Sequence, residues 1–225
     1  MIRLFKNKTT AFPDFWKEYE KSFEEKTPDA LENVKFVVLD TETTGFDYFR
    51  DRILCIGALT LKNWGIDVKN RFEVYILQEN YKQETAKIHG ILRHGSRDRL
   101  TEAEALELWL KYIGNAVLVA HHAFFDVNML NRALVRNSLP PMKNQVLDTG
   151  VLYKKTLIRS NLLQKKEKYS LDELALKFDI SRKDRHTALG DSYITAIAFL
   201  KIISKLKEKG IVTTQQLIGR KKWWK

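Results

Sequence analysis

The apolar residues of this chain fall into short runs and one alternating stretch, which together predict a β-sheet. Residues 34–39 contain five apolar side chains in six, the pattern of a strand covered on both faces. Residues 53–62 and 116–120 form similar runs. Residues 71–77 alternate polar and apolar side chains, which is typical of a half-buried antiparallel strand. Residues 145–148 fit a short strand or a strand–helix junction.

Helical spacing and capping residues predict the helices. Two capping boxes, each a Ser or Thr followed three residues later by Glu, predict helices beginning after residues 101 and 170. A third helix is expected after residue 126. The last long helix is expected to begin at Thr187 and to stop at Gly210.

The order of these elements indicates the fold class. It is strand, strand, strand, helix, strand, helix, short strand, helix, helix, which predicts an α/β or α+β layer around one mixed sheet. Before it, an amphipathic helix near Pro13 places Phe15, Tyr19 and Phe23 on one face. We expect that aromatic face to pack on the parent domain.

Composition limits the classes of protein and partner. The chain has 225 residues and a formal net charge of +11, which favours a polyanionic partner, nucleic acid first and an anionic membrane second. A merely soluble basic protein is the alternative. No apolar run approaches the ~18 residues of a membrane span. Cys55 is the single cysteine, which indicates a reducing, cytoplasmic compartment.

The first predicted strand ends in two carboxylates, Asp40 and Glu42. Side chains two apart on a strand point to the same face. Two adjacent anions repel each other, and divalent cations between them relieve that repulsion. A solvated acidic turn is the alternative, so the choice depends on whether the chain supplies further ligands.

Three other residues complete a candidate constellation. Asp126 follows another buried strand, Asp191 lies in the first turns of the last long helix, and His186 lies just before that helix. Carboxylates without a thiolate cluster suit Mg²⁺ or Mn²⁺, and two such ions are a known solution for phosphodiester cleavage. The imidazole of a histidine can accept a proton near neutral pH. A surface or capping role is the alternative for His186.

These residues carry a family resemblance. The segments 40–45 (DTETTG), 125–126 (FD) and 186–191 (HTALGD), with 88–91 (IHGI) and 169–174 (YSLDEL), resemble the DnaQ-like 3′→5′ exonucleases of the DEDDh group. That group includes the proofreading epsilon subunit of bacterial replicases. The resemblance covers roughly residues 33–205.

The resemblance implies a fold, an activity and a set of site residues. The fold would be ribonuclease H-like, a central mixed β-sheet flanked by helices, and the products nucleoside 5′-monophosphates released from a 3′ end. Asp40, Glu42, Asp126 and Asp191 would hold two Mg²⁺ or Mn²⁺ ions, and His186 would be the general base. The residues matching family contacts to the terminal nucleotide are Thr41, Thr43, His89 and Phe125.

The resemblance also predicts the organisation of the chain. Residues 1–32 would be an N-terminal helical extension, 33–209 the exonuclease domain, and 210–225 a short C-terminal helix with a basic, Trp-containing tail. That tail and the basic stretch 154–168 each fit either a solvated segment or a nucleic-acid contact.

One position departs from the family pattern. His122 stands where the family usually has Asn, which bears on local geometry and on the pH dependence of the reaction.

The expected substrate has alternatives. We expect DNA, preferably single-stranded, as substrate, with replication or repair proteins as candidate partners. RNA is the alternative substrate, and a catalytically silent nucleic-acid-binding module is a third reading.

Overall fold

A computed structural model describes residues 12–79, 81–92, 98–157 and 167–219 of the chain. Three sequence predictions lie partly or wholly outside these residues: residues 1–11 of the N-terminal extension, residues 158–166 of the basic stretch, and the C-terminal tail from residue 220 onward.

Five strands form one mixed sheet. They are β1 (Phe36–Thr43), β2 (Ile53–Lys62), β3 (Gly65–Tyr75), β4 (Val117–Ala120) and β5 (Val146–Asp148). The spatial order is β3-β2-β1-β4-β5. The pairs β1–β2 and β2–β3 are antiparallel, whereas β1–β4 and β4–β5 are parallel. The predicted mixed sheet is therefore confirmed, with β1 at its centre.

Eight α-helices surround the sheet in the described part of the chain. They are α1 (Asp14–Lys21), α2 (Gln83–His89), α3 (Glu102–Ile113), α4 (Phe124–Arg136), α5 (Thr149–Thr156), α6 (Leu171–Lys177), α7 (Ala188–Glu208) and α8 (Thr214–Ile218). The capping boxes predicted for α3 and α6 are both present, because Thr101 accepts from Glu104 N and Ser170 from Glu173 N.

Three elements differ from the sequence prediction. β3 begins at Gly65, earlier than the predicted residue 71, because Asn63 and Trp64 both adopt positive φ and close a tight hairpin. Helix α2 was not predicted, and α5 was predicted only through one of the two readings of residues 145–148, a strand–helix junction, with no bounds given. α5 follows β5 without a loop, and its first turn is capped by the Asp148 carboxylate, which accepts from Val151 N at 3.0 Å.

Apolar cores lie on both faces of the sheet, as its buried central strands require. One core contains side chains of α1, α3 and α4, and the other contains side chains of α5, α6 and α7. Trp16 and Tyr19 of α1 are buried, and Tyr19 Oη donates to Asn144 at 2.7 Å. The expected packing of this aromatic face on the domain is confirmed. No helix in the described segments is both long and apolar enough to cross a membrane.

A glycine in β2 lets α7 approach the sheet closely. A Cβ atom at Gly57 would lie 2.3 Å from the backbone of Ala188 and Leu189. In addition, Ser192 Oγ donates to Gly57 O at 2.8 Å. Since Gly57 is paired with Asp40 across the β1–β2 ladder, this contact places the first turn of α7 over the end of β1.

Candidate active site

Three carboxylates meet where β1 ends. Asp40 and Glu42 are half-buried and alternate with buried Thr41, so they share one face of the strand as predicted. A break in the β1–β2 register follows Glu42, and such irregularities are common beside active sites. Asp191, in the first turn of α7, offers the third carboxylate. Ligand oxygens of the three residues all lie within 4.8 Å of one another.

Asp126 lies beside this group but is held differently. It is in the first turn of α4, directly after the parallel neighbour of β1. Its Oδ1 accepts hydrogen bonds from Thr41 N at 2.9 Å and from Thr41 Oγ1 at 2.7 Å. Its charge acts on Asp40, so the structure brings all four predicted acids into one electrostatic unit. The three-carboxylate group within 4.8 Å does not include Asp126.

Burial dominates the electrostatics of the four acids. The pKa of Asp40 lies well above its usual range because burial, and then the charges of Asp126 and Asp191, disfavour ionisation. Burial followed by the same two neighbours raises the pKa of Glu42 to about 7. The pKa values of Asp126 and Asp191 are also raised, again mainly by burial. The four acids therefore hold protons tightly unless another positive charge, such as that of a bound cation, lies close to them.

The donor set fits a divalent cation. Asp191 Oδ1 is buried and has no hydrogen-bond partner among the described residues, and an unpaired buried acceptor is costly. Carboxylate oxygens are the hard ligands that Mg²⁺ and Mn²⁺ prefer. A cation bound by Asp40, Glu42 and Asp191 would satisfy that oxygen and offset the mutual repulsion of the carboxylates.

We expect the stability of the protein in EDTA to fall as the pH rises from about 5 to about 8. The fold raises the pKa of Glu42 from 4.5 to about 7. The proton on Glu42 therefore stabilises the folded state, and this contribution is complete at pH values below the pKa of Glu42 in the unfolded state. It is lost as the pH rises through the pKa of Glu42 in the folded state. For Glu42 alone, the difference corresponds to roughly 3 kcal/mol. Thermal melts in EDTA across this pH range measure it.

Glu42→Gln is the matched variant for this prediction. This variant should show a flatter pH dependence of stability, since the amide does not titrate. In the wild-type protein, Mn²⁺ should restore the stability that is lost at the alkaline end of the range. Wild-type stability that rises with pH over this window in EDTA would contradict the prediction.

His186 lies at the edge of the acidic group. It is exposed, its φ is +65°, and its backbone N donates to Asp191 Oδ2 at 3.3 Å. A non-glycine residue in this region of φ is uncommon and is found where the surrounding structure requires it, often at functional sites. A backbone hydrogen bond from the loop before α7 thus links His186, the predicted general base, to Asp191, a predicted metal ligand.

Comparison with known proteins assigns the chain to a family. The RNase T model, described as an exonuclease family, matches residues 37–199, more than half of the 225 residues. The chain belongs to the RNase T exonuclease family. The matched span contains the four acids and His186, so the exonuclease class predicted from the sequence is confirmed.

A DNA polymerase III is among the relatives of this exonuclease chain. DNA polymerase III PolC-type of Caldanaerobacter subterraneus subsp. tengcongensis is 34% identical over 184 residues, which are 81% of this chain and 12% of the polymerase. The chain thus spans about an eighth of the length of that relative.

Solved exonuclease structures share the fold. E. coli exonuclease I in complex with a dT13 oligonucleotide superposes with a TM-score of 0.66 at 16% identity, covering 79% of this chain and 43% of that one. Exonuclease X in complex with 5′ overhanging duplex DNA gives 0.60 at 21% identity, covering 82% and 99%. At these identities the likeness shows the fold alone, and it confirms the predicted ribonuclease H-like arrangement.

The four predicted substrate contacts have different surroundings. Thr41 is engaged with Asp126, and Thr43 Oγ1 donates to Gly45 O at 2.8 Å. His89 is buried in the last turn of α2, where its Nδ1 accepts from Ile91 N at 3.1 Å. Burial lowers the pKa of His89, which favours the neutral ring. Its Nε2 has no partner in the described part of the protein. Phe125 is half-buried and contacts other aromatic rings.

Those rings form an aromatic surface that the sequence prediction missed. The ring centroids of Phe46 and Tyr48 each lie 5.7 Å from that of Phe125, and that of Phe124 lies 6.0 Å from that of Tyr48. We include in this surface Phe49, which follows Tyr48 in the same loop. Phe46, Phe49 and Phe124 are 80%, 69% and 63% exposed. The run of aromatic residues after Gly45, in an otherwise polar loop, was the available signal.

The departure at His122 has a backbone explanation. His122 is exposed and has φ of +57°. Asn and His are both enriched among non-glycine residues with positive φ, so the backbone that suits the family's usual Asn also accepts His. Its ring lies 4.3 Å from that of His121, whose pKa burial lowers to about 4.

Proposed function

We propose that this chain is a metal-dependent 3′→5′ exonuclease acting on DNA, preferably single-stranded, and releasing nucleoside 5′-monophosphates. The observation that carries the proposal is the meeting of Asp40, Glu42 and Asp191 at the end of the central strand, with ligand oxygens within 4.8 Å of one another. Beside them, the carboxylate of Asp126 adds a fourth negative charge.

The proposed roles divide between charge and proton transfer. Two Mg²⁺ or Mn²⁺ ions held by Asp40, Glu42, Asp126 and Asp191 would supply electrostatic stabilisation of the reacting phosphate. His186 accepts the proton of the attacking water. Thr41 keeps the Asp126 carboxylate in place through its two hydrogen bonds. Thr41, Thr43, His89 and Phe125 contact the terminal nucleotide.

Charge and relatives support DNA as the substrate. The net charge of +11 favours binding to a phosphate backbone. The PolC-type relative is a DNA polymerase, and the exonuclease I and exonuclease X structures are DNA complexes. We therefore also propose replication or repair proteins as partners.

The aromatic surface supports single-stranded ends. Phe46 follows the β1 acids in sequence, and Phe124 directly precedes Phe125 and Asp126, so the exposed rings lie on segments that also carry the acidic group. The guanidinium carbon of Arg132 lies 4.0 Å from the centroid of Phe49, adding positive charge to the same surface. Unpaired bases stack on exposed rings, whereas bases inside a duplex are already stacked on their neighbours.

An end-labelled oligonucleotide tests the function. With Mg²⁺ or Mn²⁺, the protein should shorten 5′-labelled single-stranded DNA stepwise from its 3′ end, and EDTA should stop the reaction. A blunt duplex should be cut more slowly. Faster cleavage of a matched RNA would assign RNA as substrate instead, and binding without cleavage would indicate a nucleic-acid-binding module.

We expect Phe46→Ala and Phe124→Ala each to raise KM for single-stranded DNA about tenfold with little change in kcat. Loss of one stacking contact costs roughly 1–3 kcal/mol per base. Steady-state kinetics on a short oligonucleotide measures this effect. Leu108→Ala is the control, since Leu108 is an exposed apolar side chain on α3 and should leave KM unchanged. Equal KM values in all three variants would show that the aromatic surface does not take part in substrate binding.

We also propose the domain organisation stated from the sequence. The exonuclease domain would comprise residues 33–209, which contain the family match at 37–199, with residues 1–32 as a helical extension and 210–225 as a C-terminal helix and tail. A cytoplasmic location stays a prediction from the single cysteine, Cys55, which is buried.

A further inference from the structure

Arg185 joins the acidic group to a carboxylate outside it. Its guanidinium binds Asp172 of α6 through two hydrogen bonds, of 2.9 and 3.0 Å. The remaining terminal nitrogen, Nη1, donates to Asp191 Oδ2 at 2.5 Å. The arginine side chain is 17% exposed, and that of Asp191 is 9% exposed. One largely buried cation thus bridges a candidate metal ligand and an aspartate on another helix.

The arrangement makes Arg185 a competitor for Asp191. A guanidinium uses all its donors in a fixed planar geometry, so the contact to Asp191 Oδ2 is tied to the fork on Asp172. Arg185 occupies Oδ2 and leaves Oδ1 open, so a divalent cation bound there would share the single negative charge of Asp191 with the guanidinium, and the two cations would repel each other. Asp172 is 43% exposed and accepts two hydrogen bonds from the arginine, so its charge offsets that repulsion.

We propose that Arg185 is a positioning residue that acts as an internal counter-cation: it neutralises Asp191 and opposes binding of the divalent cation to the same carboxylate, while the charge of Asp172 offsets that of the guanidinium. This inference rests on the proposed function, because it concerns cation binding by the same carboxylates. Under this proposal, Asp172 influences the metal affinity of the acidic group although it is not itself a metal ligand.

The proposal predicts opposite effects for the two partners. Arg185→Gln removes the competitor, so Mn²⁺ should bind about tenfold more tightly, the size expected for one charge-assisted hydrogen bond. Asp172→Asn removes the charge that offsets the arginine, so Mn²⁺ should bind more weakly. In the double variant the effect of Asp172→Asn should vanish, because no arginine remains to be offset.

Calorimetric titration of the full chain with Mn²⁺, without DNA, is the experiment. Arg182→Gln is the matched control, because Arg182 lies 3.8 Å from Asp172 with its side chain 55% exposed and, within the described segments, forms no ion pair with Asp191. If Arg185→Gln does not fold, Arg185→Lys keeps a charge but loses the fork, and it should bind Mn²⁺ with intermediate affinity.

The outcomes separate this inference from the proposed function. Tight Mn²⁺ binding by the wild type, with unchanged or weaker binding by Arg185→Gln, overturns the counter-cation role alone. An equal gain in Arg182→Gln shows a general charge effect and also overturns it. Absence of Mn²⁺ binding in the wild type overturns both proposals.

Discussion

Replacement of Asp40 by Asn is expected to lower kcat on single-stranded DNA by at least about 10³-fold, the scale of losing a main electrostatic contributor to the transition state. Asp40 is central to the acidic group, because Asp126, Asp191 and Glu42 all act on its ionisation. The amide keeps the shape of the side chain but removes its charge and weakens it as a ligand. Single-turnover cleavage of a labelled oligonucleotide measures the loss.

Stability should move in the opposite direction to activity in this variant. Burial and like charges raise the pKa of Asp40, so its ionised form opposes folding, and Asp40→Asn should raise the melting temperature in EDTA at alkaline pH. Asp51→Asn is the control. Burial raises the pKa of Asp51 too, but hydrogen bonds from Lys82, the Asp47 backbone and Thr44 outweigh it and lower the pKa. Asp51→Asn should therefore lower the melting temperature. A destabilised Asp40→Asn would contradict the electrostatic account.

Loss of the His186 imidazole is expected to lower kcat by roughly 10²- to 10⁴-fold, the usual contribution of a general base. KM and Mn²⁺ affinity should change little, because the contact of His186 with Asp191 is made by the backbone N. Steady-state kinetics and Mn²⁺ titration of His186→Ala beside the wild type measure both effects.

The backbone at this position demands a second variant. With φ of +65°, alanine would add strain that asparagine tolerates better. His186→Asn should therefore lose as much kcat as His186→Ala while melting closer to the wild type. A wild-type value of kcat in His186→Asn would show that the imidazole does not take part in the reaction.

Local rules succeeded where neighbouring residues alone decide the structure. Strand alternation predicted that Asp40 and Glu42 share a face, and they do. The Thr101 and Ser170 caps formed as expected, because a side chain and a backbone N–H three residues away need no distant partner. The same rules failed for the start of β3, where Asn63 and Trp64 adopt a turn conformation that composition does not signal.

The candidate site divides in the same way. Motif spacing identified Asp40, Glu42, Asp126, His186 and Asp191 before any contact was known. It did not reveal that Asp126 is held by Thr41, or that Arg185 binds Asp191. The first interaction depends on how α4 docks against β1, and the second on the conformation of the loop that leads into α7.

The sequence by itself determined the strands, the main helices, the family and the candidate acids, because short-range periodicity, capping and motif spacing are written along the chain. Only the tertiary structure decided which oxygens approach one another, which arginine neutralises them and which rings face solvent. The close approach of α7 to β2 at Gly57 shows the physical reason. The position of Asp191 depends on packing between segments more than a hundred residues apart, and local preferences carry no information about that distance.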